Sequence, residues 1–84
     1  MKKSKQWEVY IIQARSGKLY TGITNDLDRR FAAHQVGRKG ARFFRFSKPE
    51  KILFRESHPG RSEASKRESE IKKMKRSQKL KLFN

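Results

Sequence analysis

The fold of this chain is decided by residues 7–23, which read WEVYIIQARSGKLYTGI. Residues 7–14 and 18–23 are rich in β-branched and aromatic side chains, which favour strands. The segment between them contains Gly17, and a short glycine-containing connection between two such runs is typical of a β-hairpin. The sequence therefore predicts two antiparallel strands joined by a tight turn.

The hairpin would bring Tyr10 and Tyr20 close together. A phenol can donate or accept a hydrogen bond and can hold a phosphate oxygen, which suits phosphodiester chemistry. The alternative is structural, since tyrosine is common in strands and its ring usually packs while its hydroxyl meets water or backbone. The two tyrosines alone leave both interpretations open.

A helix is predicted to follow the hairpin. Asn25 is the candidate N-cap, with Asp28 three residues later. Leu27 and Phe31 are spaced i,i+4 and form the inner face, and Gly37 is expected to end the helix.

The second half of the chain predicts one more strand and one more long helix. The strand covers residues 51–56, after Pro49 and before a turn at residues 57–60. Ser62 is expected to cap the helix, and a break near Ser77 would separate a short terminal turn. The apolar residues expected to reach the core from this region are Ala64, Ile71, Met74, Leu80, Leu82 and Phe83.

The charge of the chain indicates its partner. Its 84 residues include 23 Lys and Arg against 8 Asp and Glu, which gives a formal net charge of +15 at pH 7. Such an excess predicts a polyanion, with nucleic acid first. An anionic membrane is the weaker alternative, because no long segment carries bulky apolar residues along one helical face.

Length and composition predict one domain, with residues 1–6 as a flexible basic tail and residues 7–84 as the folded part. The lack of cysteine excludes a disulfide framework and a thiolate metal site. With no recognisable signal peptide or apolar span, the sequence predicts a cytoplasmic protein.

Glu68 is the candidate catalytic carboxylate. It lies four residues after Ala64 and three before Ile71, within or beside the apolar stripe of the last long helix. A carboxylate there is costly unless it is paired. A metal ion could be the partner, but so could an arginine or Lys72 at i+4, which would make Glu68 an ordinary salt-bridged residue.

Arg30 and His34 form an i,i+4 pair that could face the hairpin. Arginine suits bidentate contact with phosphate, and histidine suits proton transfer or a hydrogen bond to phosphate. The alternative is a solvated helix face.

In order and spacing, these residues resemble the GIY-YIG nuclease superfamily, in particular its short stand-alone bacterial members. Residues 8–10, Glu-Val-Tyr, correspond to the first element of the family name, and residues 20–22, Tyr-Thr-Gly, correspond to the second. Residues 23–34 resemble the strand–helix junction of the family, and residues 67–74 resemble its metal-binding helix. The resemblance covers nearly the whole chain.

The chain departs from the family pattern at three positions. Glu8 replaces the first Gly, and Ile23 stands where the excision-repair relatives carry a Lys. Leu80 stands where the pattern has an Asn about a dozen residues after the metal-binding Glu.

The resemblance implies an α+β fold, in which a three-stranded antiparallel sheet is flanked by helices in the order β-β-α-β-α-α. It also implies an endonuclease that hydrolyses DNA phosphodiester bonds, in repair or processing, with one divalent ion, Mg²⁺ or Mn²⁺. The residues that would carry this chemistry are Tyr10, Tyr20, Arg30, His34 and Glu68.

The resemblance also implies a role for each residue. Glu68 would be the metal ligand, and Arg30 would neutralise charge on the phosphoryl oxygens. One tyrosine would orient or deprotonate the attacking water, and His34 would assist with a phosphate contact or a proton. A free phenol titrates near ~10, so a tyrosine base would need its pKa lowered.

Basic residues would add sequence-independent affinity for phosphates. Residues 37–48 contain no acid and interleave Arg with Phe, so that Phe could stack on unpaired bases or could instead anchor the segment to the core. The candidate DNA-contacting residues are Lys18, Arg29, Arg38, Lys39, Arg42, Arg45, Lys72 and Lys73.

Two other functions fit the same sequence. One is a nucleic-acid-binding module that keeps the fold but cleaves poorly or not at all, and the other is an RNA- or ribosome-associated basic protein. DNA is the predicted partner, including branched and single-stranded forms, and RNA stays open. The sequence does not predict the oligomeric state.

Overall fold

The computed structural model describes residues 6–36 and 48–83, with the side chains of residues 34–36 left out. Its elements are, in chain order, β1 (Trp7–Ala14), β2 (Leu19–Thr24), α1 (Leu27–Val36), β3 (Pro49–His58), α2 (Arg61–Lys72) and α3 (Arg76–Leu80). The strands form one antiparallel sheet in the order β2-β1-β3, which confirms the predicted α+β fold. None of these helices is long and apolar enough to cross a membrane.

The hairpin follows the sequence closely. The amide of Ala14 donates to the carbonyl of Lys18 at 2.9 Å, and the amide of Gly17 donates to the carbonyl of Ala14 at 2.8 Å. Gly17 has a φ of 92°, a conformation that glycine adopts without strain. The resulting register sets Tyr10 opposite Gly22 and Ile12 opposite Tyr20.

Helices cover both faces of the sheet, so alternate side chains of the central strand β1 are buried on opposite faces. On the first, which we call the α1 face, side chains of β1 pack against Leu27 of α1. On the second, the α2 face, alternate side chains of β1 pack against Ala64 and Ile71 of α2. The buried members of the α1 face are Tyr10, Ile12, Ala14 and Leu27, and those of the α2 face are Val9, Ile11, Ala64 and Ile71.

The strand β3 is longer than the predicted strand over residues 51–56. It begins at Pro49, which pairs with Ala14, and it runs to His58, which pairs with Trp7. Proline is tolerated at the first position of a strand because the missing amide is not needed there. Pairing with the full length of β1 extends β3 beyond the predicted bounds at both ends. The predicted turn at residues 57–60 was therefore wrong for Ser57 and His58, which lie in β3.

Both predicted N-caps were wrong by one or two positions. Helix α1 begins at Leu27, and the Asp26 side chain accepts a hydrogen bond from the Arg29 amide at 3.3 Å, so Asp26 and not Asn25 caps it. Helix α2 begins after Gly60, which makes no side-chain cap bond, and Ser62 lies inside its first turn. In each case several neighbouring residues could serve as the N-cap. The path of the chain from the preceding strand determines which of them does.

The break after α2 lies at residues 73–75, earlier than predicted, and Ser77 lies inside α3. Met74, Leu82 and Phe83 pack against the α2 face, as expected. The half-buried Phe31 packs against the α1 face, which confirms the predicted inner face of α1. The predicted helix end at Gly37 and the basic segment up to residue 47 lie outside the described residues.

Candidate active site

The phenol of Tyr10 extends from the central strand over the edge strand. Tyr10 is only 1% exposed, and its ring crosses Gly22, its partner residue on β2. A Cβ atom at Gly22 would lie 2.6 Å from the phenol oxygen and 2.8 Å from the ring carbon that carries it. The glycine of the second motif therefore makes room for the tyrosine of the first.

Tyr20 lies beside Tyr10 on the same face. The centroids of the two rings are 6.2 Å apart, and the ring planes are tilted by 43°. This distance is within the range of favourable aromatic pairs. Tyr20 is half-buried and packs against the α1 face, so the pair also has the structural role that the sequence left open.

Arg30 reaches this pair from α1. Its side chain donates a hydrogen bond to the phenol oxygen of Tyr10. Helix α1 begins only three residues after β2, so Arg30 in its first turn lies close to the edge strand. The predicted neighbour His34 lies on the same helix, but its side chain is outside the described residues.

The surroundings of Tyr10 raise the pKa of its phenol to about 12. Burial is the largest cause, and the nearby Tyr20 and Glu68 also raise the pKa because each disfavours a phenolate. The hydrogen bond and charge of Arg30 act in the opposite direction but do not offset burial. In this state Tyr10 keeps its proton at neutral pH, whereas a tyrosine base would need a lower pKa.

Glu68 lies on α2 at the flank of the buried stripe. Its side chain is 20% exposed, and its carboxylate forms an ion pair with Lys72 at 3.1 Å. The i,i+4 partner considered from the sequence is thus present. The carboxylate is also near enough to Tyr10 for its charge to raise the pKa of that phenol.

Four of the five predicted catalytic residues therefore lie around one point, although four different elements supply them. They are Tyr10 on β1, Tyr20 on β2, Arg30 on α1 and Glu68 on α2.

The candidate DNA-contacting residues are only partly described. Lys18, Arg29 and Lys73 are exposed, and Lys72 is exposed but holds Glu68. The remaining four lie outside the described residues: Arg38, Lys39, Arg42 and Arg45.

Sequence reasoning missed an ion pair that borders the site. Arg55 lies opposite Tyr10 on β3 and donates two hydrogen bonds, each 2.9 Å long, to the two carboxylate oxygens of Glu8. Glu8 is the residue that replaces the first Gly of the family pattern, and its hydrogen bonds raise the pKa of Arg55. The two residues are 47 positions apart, so no local pattern could have linked them.

A second missed network joins β3 to α2. The Glu56 carboxylate accepts a hydrogen bond from Arg67 at 3.0 Å and contacts the His58 ring at 2.8 Å, and Arg67 also donates to Glu70 at 3.0 Å. These contacts engage Glu70, the second acid of residues 67–74, and leave Glu68 as the carboxylate of that segment near the tyrosines.

The donor set around Glu68 limits what metal site it could form. Over the described ranges, no group of three or more His, Cys, Asp or Glu side chains could hold an ion. Glu68 is thus one hard oxygen ligand, which fits Mg²⁺ or Mn²⁺ where water and phosphate oxygens supply the other positions.

Comparison with known proteins places this geometry in a family. The model of the GIY-YIG catalytic domain matches residues 6–81. A UPF0213 protein of Cupriavidus pinatubonensis is 44% identical over 80 residues, which cover 95% of this chain and 88% of that protein. A UPF0213 protein of Xanthomonas axonopodis pv. citri is 43% identical over 76 residues, which cover 90% and 74%.

Among solved structures, the solution NMR structure of a UPF0213 protein from Bacillus halodurans aligns with a TM-score of 0.58 and 36% identity. The alignment covers 92% of this chain and 81% of that one. The family match spans nearly the whole chain, and the relatives are close in sequence and in length. The chain therefore belongs to the GIY-YIG family, as its motifs predicted.

Proposed function

We propose that this protein is a metal-dependent endonuclease that hydrolyses phosphodiester bonds of DNA at the cluster of Tyr10, Tyr20, Arg30 and Glu68. Membership of the GIY-YIG family supports a nuclease and a nucleic acid substrate. The observation that carries the proposal is the setting of the Tyr10 hydroxyl. It is buried, accepts a hydrogen bond from Arg30 and lies near the Tyr20 phenol and the Glu68 carboxylate.

Arg30 would neutralise negative charge that develops on the phosphoryl oxygens. A guanidinium already held against a phenol is oriented before substrate arrives, and preorganised charge of this kind is usually the largest electrostatic contribution to catalysis. Its five donors allow a phosphate contact while the bond to Tyr10 is kept.

The two tyrosines would have different tasks. Tyr10 keeps its proton at neutral pH because its pKa is about 12, so it would donate a hydrogen bond to a phosphate oxygen or to the attacking water. Tyr20 is half-buried and thus more open to water, which makes it the better candidate to orient the nucleophile. His34 would assist with a further phosphate contact or a proton.

Glu68 would hold the divalent ion together with water and substrate oxygens. The ion would supply positive charge at the scissile phosphate and at the leaving oxygen. Lys72, which neutralises Glu68 in this structure, would then be released to contact a neighbouring phosphate. A lone carboxylate binds Mg²⁺ weakly, so we expect substrate to strengthen ion binding.

The test is nicking of supercoiled plasmid by the wild type, with Mg²⁺ or Mn²⁺ and with a chelator. Glu68→Gln should lose roughly a hundredfold or more in rate, the size expected for removal of a preorganised electrostatic group. Glu70→Gln is the matched control, since Glu70 lies on the same helix but is exposed and paired with Arg67. It should cut within about twofold of the wild type.

Binding separates this proposal from the module that binds without cutting. Fluorescence anisotropy with labelled DNA in chelator should give similar affinities for the wild type and Glu68→Gln. Equal nicking by these two proteins would mean that the activity is a contaminant. No nicking by a wild type that binds DNA would favour the binding module.

A further inference from the structure

A notch between the hairpin turn and α3 collects positive charge from two distant parts of the chain. Lys18, Leu19, Arg76 and Lys79 line it, and it encloses about 240 Å³. Lys18 and Arg76 are exposed, whereas Leu19 and Lys79 are half-buried. Three cations thus surround one apolar side chain, and no acid among the described residues lines the notch.

Four acids of the described residues form ion pairs elsewhere. Glu8 holds Arg55, Glu68 holds Lys72, and Glu56 and Glu70 share Arg67. Three like charges that converge without a counter-charge repel one another, and a bound anion relieves that repulsion.

Both walls of the notch are held by backbone contacts. The Lys18 carbonyl accepts from the Ala14 amide at 2.9 Å, which fixes the end of the turn. In α3, the Lys75 amide donates to the Gln78 side chain at 2.9 Å, and the Lys79 amide donates to the Lys75 carbonyl at 3.0 Å. The cations are therefore carried by ordered backbone and not by free chain ends.

The notch and the candidate active site share the edge strand β2 but lie on opposite faces of the sheet. Leu19 is followed by Tyr20, and successive strand residues point to opposite faces of the sheet. Accordingly, Leu19 packs with the α2 face and Tyr20 with the α1 face. A strand of nucleic acid that follows the edge strand β2 would meet the notch and Tyr20 in succession.

We propose that Lys18, Arg76 and Lys79 bind an internal backbone phosphate of the DNA strand that is cut, other than the reacting phosphate, with a sugar ring over Leu19. A sugar-phosphate unit matches the notch because it joins an anion to a weakly polar ring. The identity of the substrate rests on the proposed function, whereas the binding of a phosphate anion does not.

The test measures binding in the cleavage-deficient Glu68→Gln protein, as a function of salt. The triple variant Lys18→Gln/Arg76→Gln/Lys79→Gln should lower the slope of log K against log salt by about 0.9, the change expected when one duplex phosphate is no longer neutralised. The single variant Lys18→Gln should lower the slope by less than the triple variant does, because Arg76 and Lys79 still contact the same phosphate.

A control triple variant removes the same charge from exposed lysines outside the notch: Lys51→Gln/Lys66→Gln/Lys81→Gln. For this control, the slope of log K against log salt should change by less than half as much as for the notch triple variant. Equal slopes for the two triple variants would overturn the proposal, since a diffuse positive field would then account for binding.

Two further arms identify the source of the phosphate. Inorganic phosphate should raise the melting temperature above that in chloride at equal ionic strength, and the notch variant should lose this gain. The notch variant could lose this stabilisation by phosphate and still show the wild-type slope of log K for DNA against log salt. In that case the notch binds free phosphate, and the proposal of a backbone phosphate is wrong.

Oligonucleotides with and without a 5′ phosphate should bind equally well. If the wild type prefers the phosphorylated oligonucleotide and the notch variant does not, the notch binds a terminal phosphate and not an internal one. If the notch variant changes the slope but the wild type never nicks DNA, phosphate binding by the notch is supported and the proposed nuclease activity is wrong.

Discussion

The two faces of the sheet are built from alternate residues of one strand, yet they serve different purposes. On the α2 face, β1 contributes Val9 and Ile11, which are fully buried and bring no polar group. On the α1 face it contributes Tyr10, whose buried hydroxyl needs Arg30 and a glycine across the strand. In so small a domain, the apolar face must offset the cost of polar groups held in the other.

The largest expected effect tests the apolar face. Ile71→Ala removes a fully buried side chain and should lower the free energy of unfolding by about 2–5 kcal/mol, through lost burial and an unfilled cavity. Urea unfolding measures it, with the exposed Ser69→Ala of the same helix as the control, expected to change by less than about 0.5 kcal/mol.

Ile71→Ala should also leave the nicking rate nearly unchanged at temperatures where the variant is folded. A loss of rate in fully folded Ile71→Ala would contradict the division of labour between the faces.

A second effect concerns pH and the α1 face. Burial raises the pKa of Tyr10 to about 12 from an ordinary 10.0, so the folded state holds a proton that the unfolded state releases first. The resulting stability is complete below pH ~10 and is lost as the pH rises through about 12.

Relative to Tyr10→Phe, the free energy of unfolding of the wild type should therefore fall by about 2–3 kcal/mol as the pH rises through that range. Urea unfolding at a series of pH values measures the difference, which also cancels the titration of the many lysines. Parallel curves for the two proteins would mean that the phenol titrates normally in the fold.

The third effect is smaller and concerns the contact between the two motifs. Gly22→Ala would force its Cβ against the Tyr10 ring, and this ring is too buried to move freely. Overpacking of this kind typically costs about 1–3 kcal/mol. Thermal unfolding measures the cost, with Gly60→Ala as the comparison, because there a Cβ meets only a flexible glutamate side chain at 3.0 Å. Equal losses for the two variants would argue against a tight fit at Gly22.

The sequence predicted those parts of the fold that depend on local pattern. Alternating strand residues and Gly17 predicted the hairpin, and the spacing of Leu27 and Phe31 predicted the inner face of α1. The ends of β3 were missed because pairing with β1 overrides the turn signals of Pro49 and of residues 57–60. The caps were missed because neighbouring polar residues are chemically equivalent until the chain path is known.

For the candidate site, too, the sequence predicted some properties and not others. The spacing of the motifs predicted that Tyr10, Tyr20 and Glu68 belong together. It could not predict that Glu8 holds Arg55 across the sheet, that Gly22 accommodates a phenol, or that burial outweighs Arg30 in setting the pKa of Tyr10. These properties depend on distances between residues that are far apart in the chain.

The position of β2 has a consequence for how the protein behaves in solution. It is an edge strand of six residues that pairs only with β1 among the described strands, and an open edge is a template for pairing with another chain. The formal charge of +15 opposes such pairing by keeping copies of the protein apart. A polyanion that neutralises this charge removes the protection, so crowding of many copies on one nucleic acid molecule favours co-aggregation.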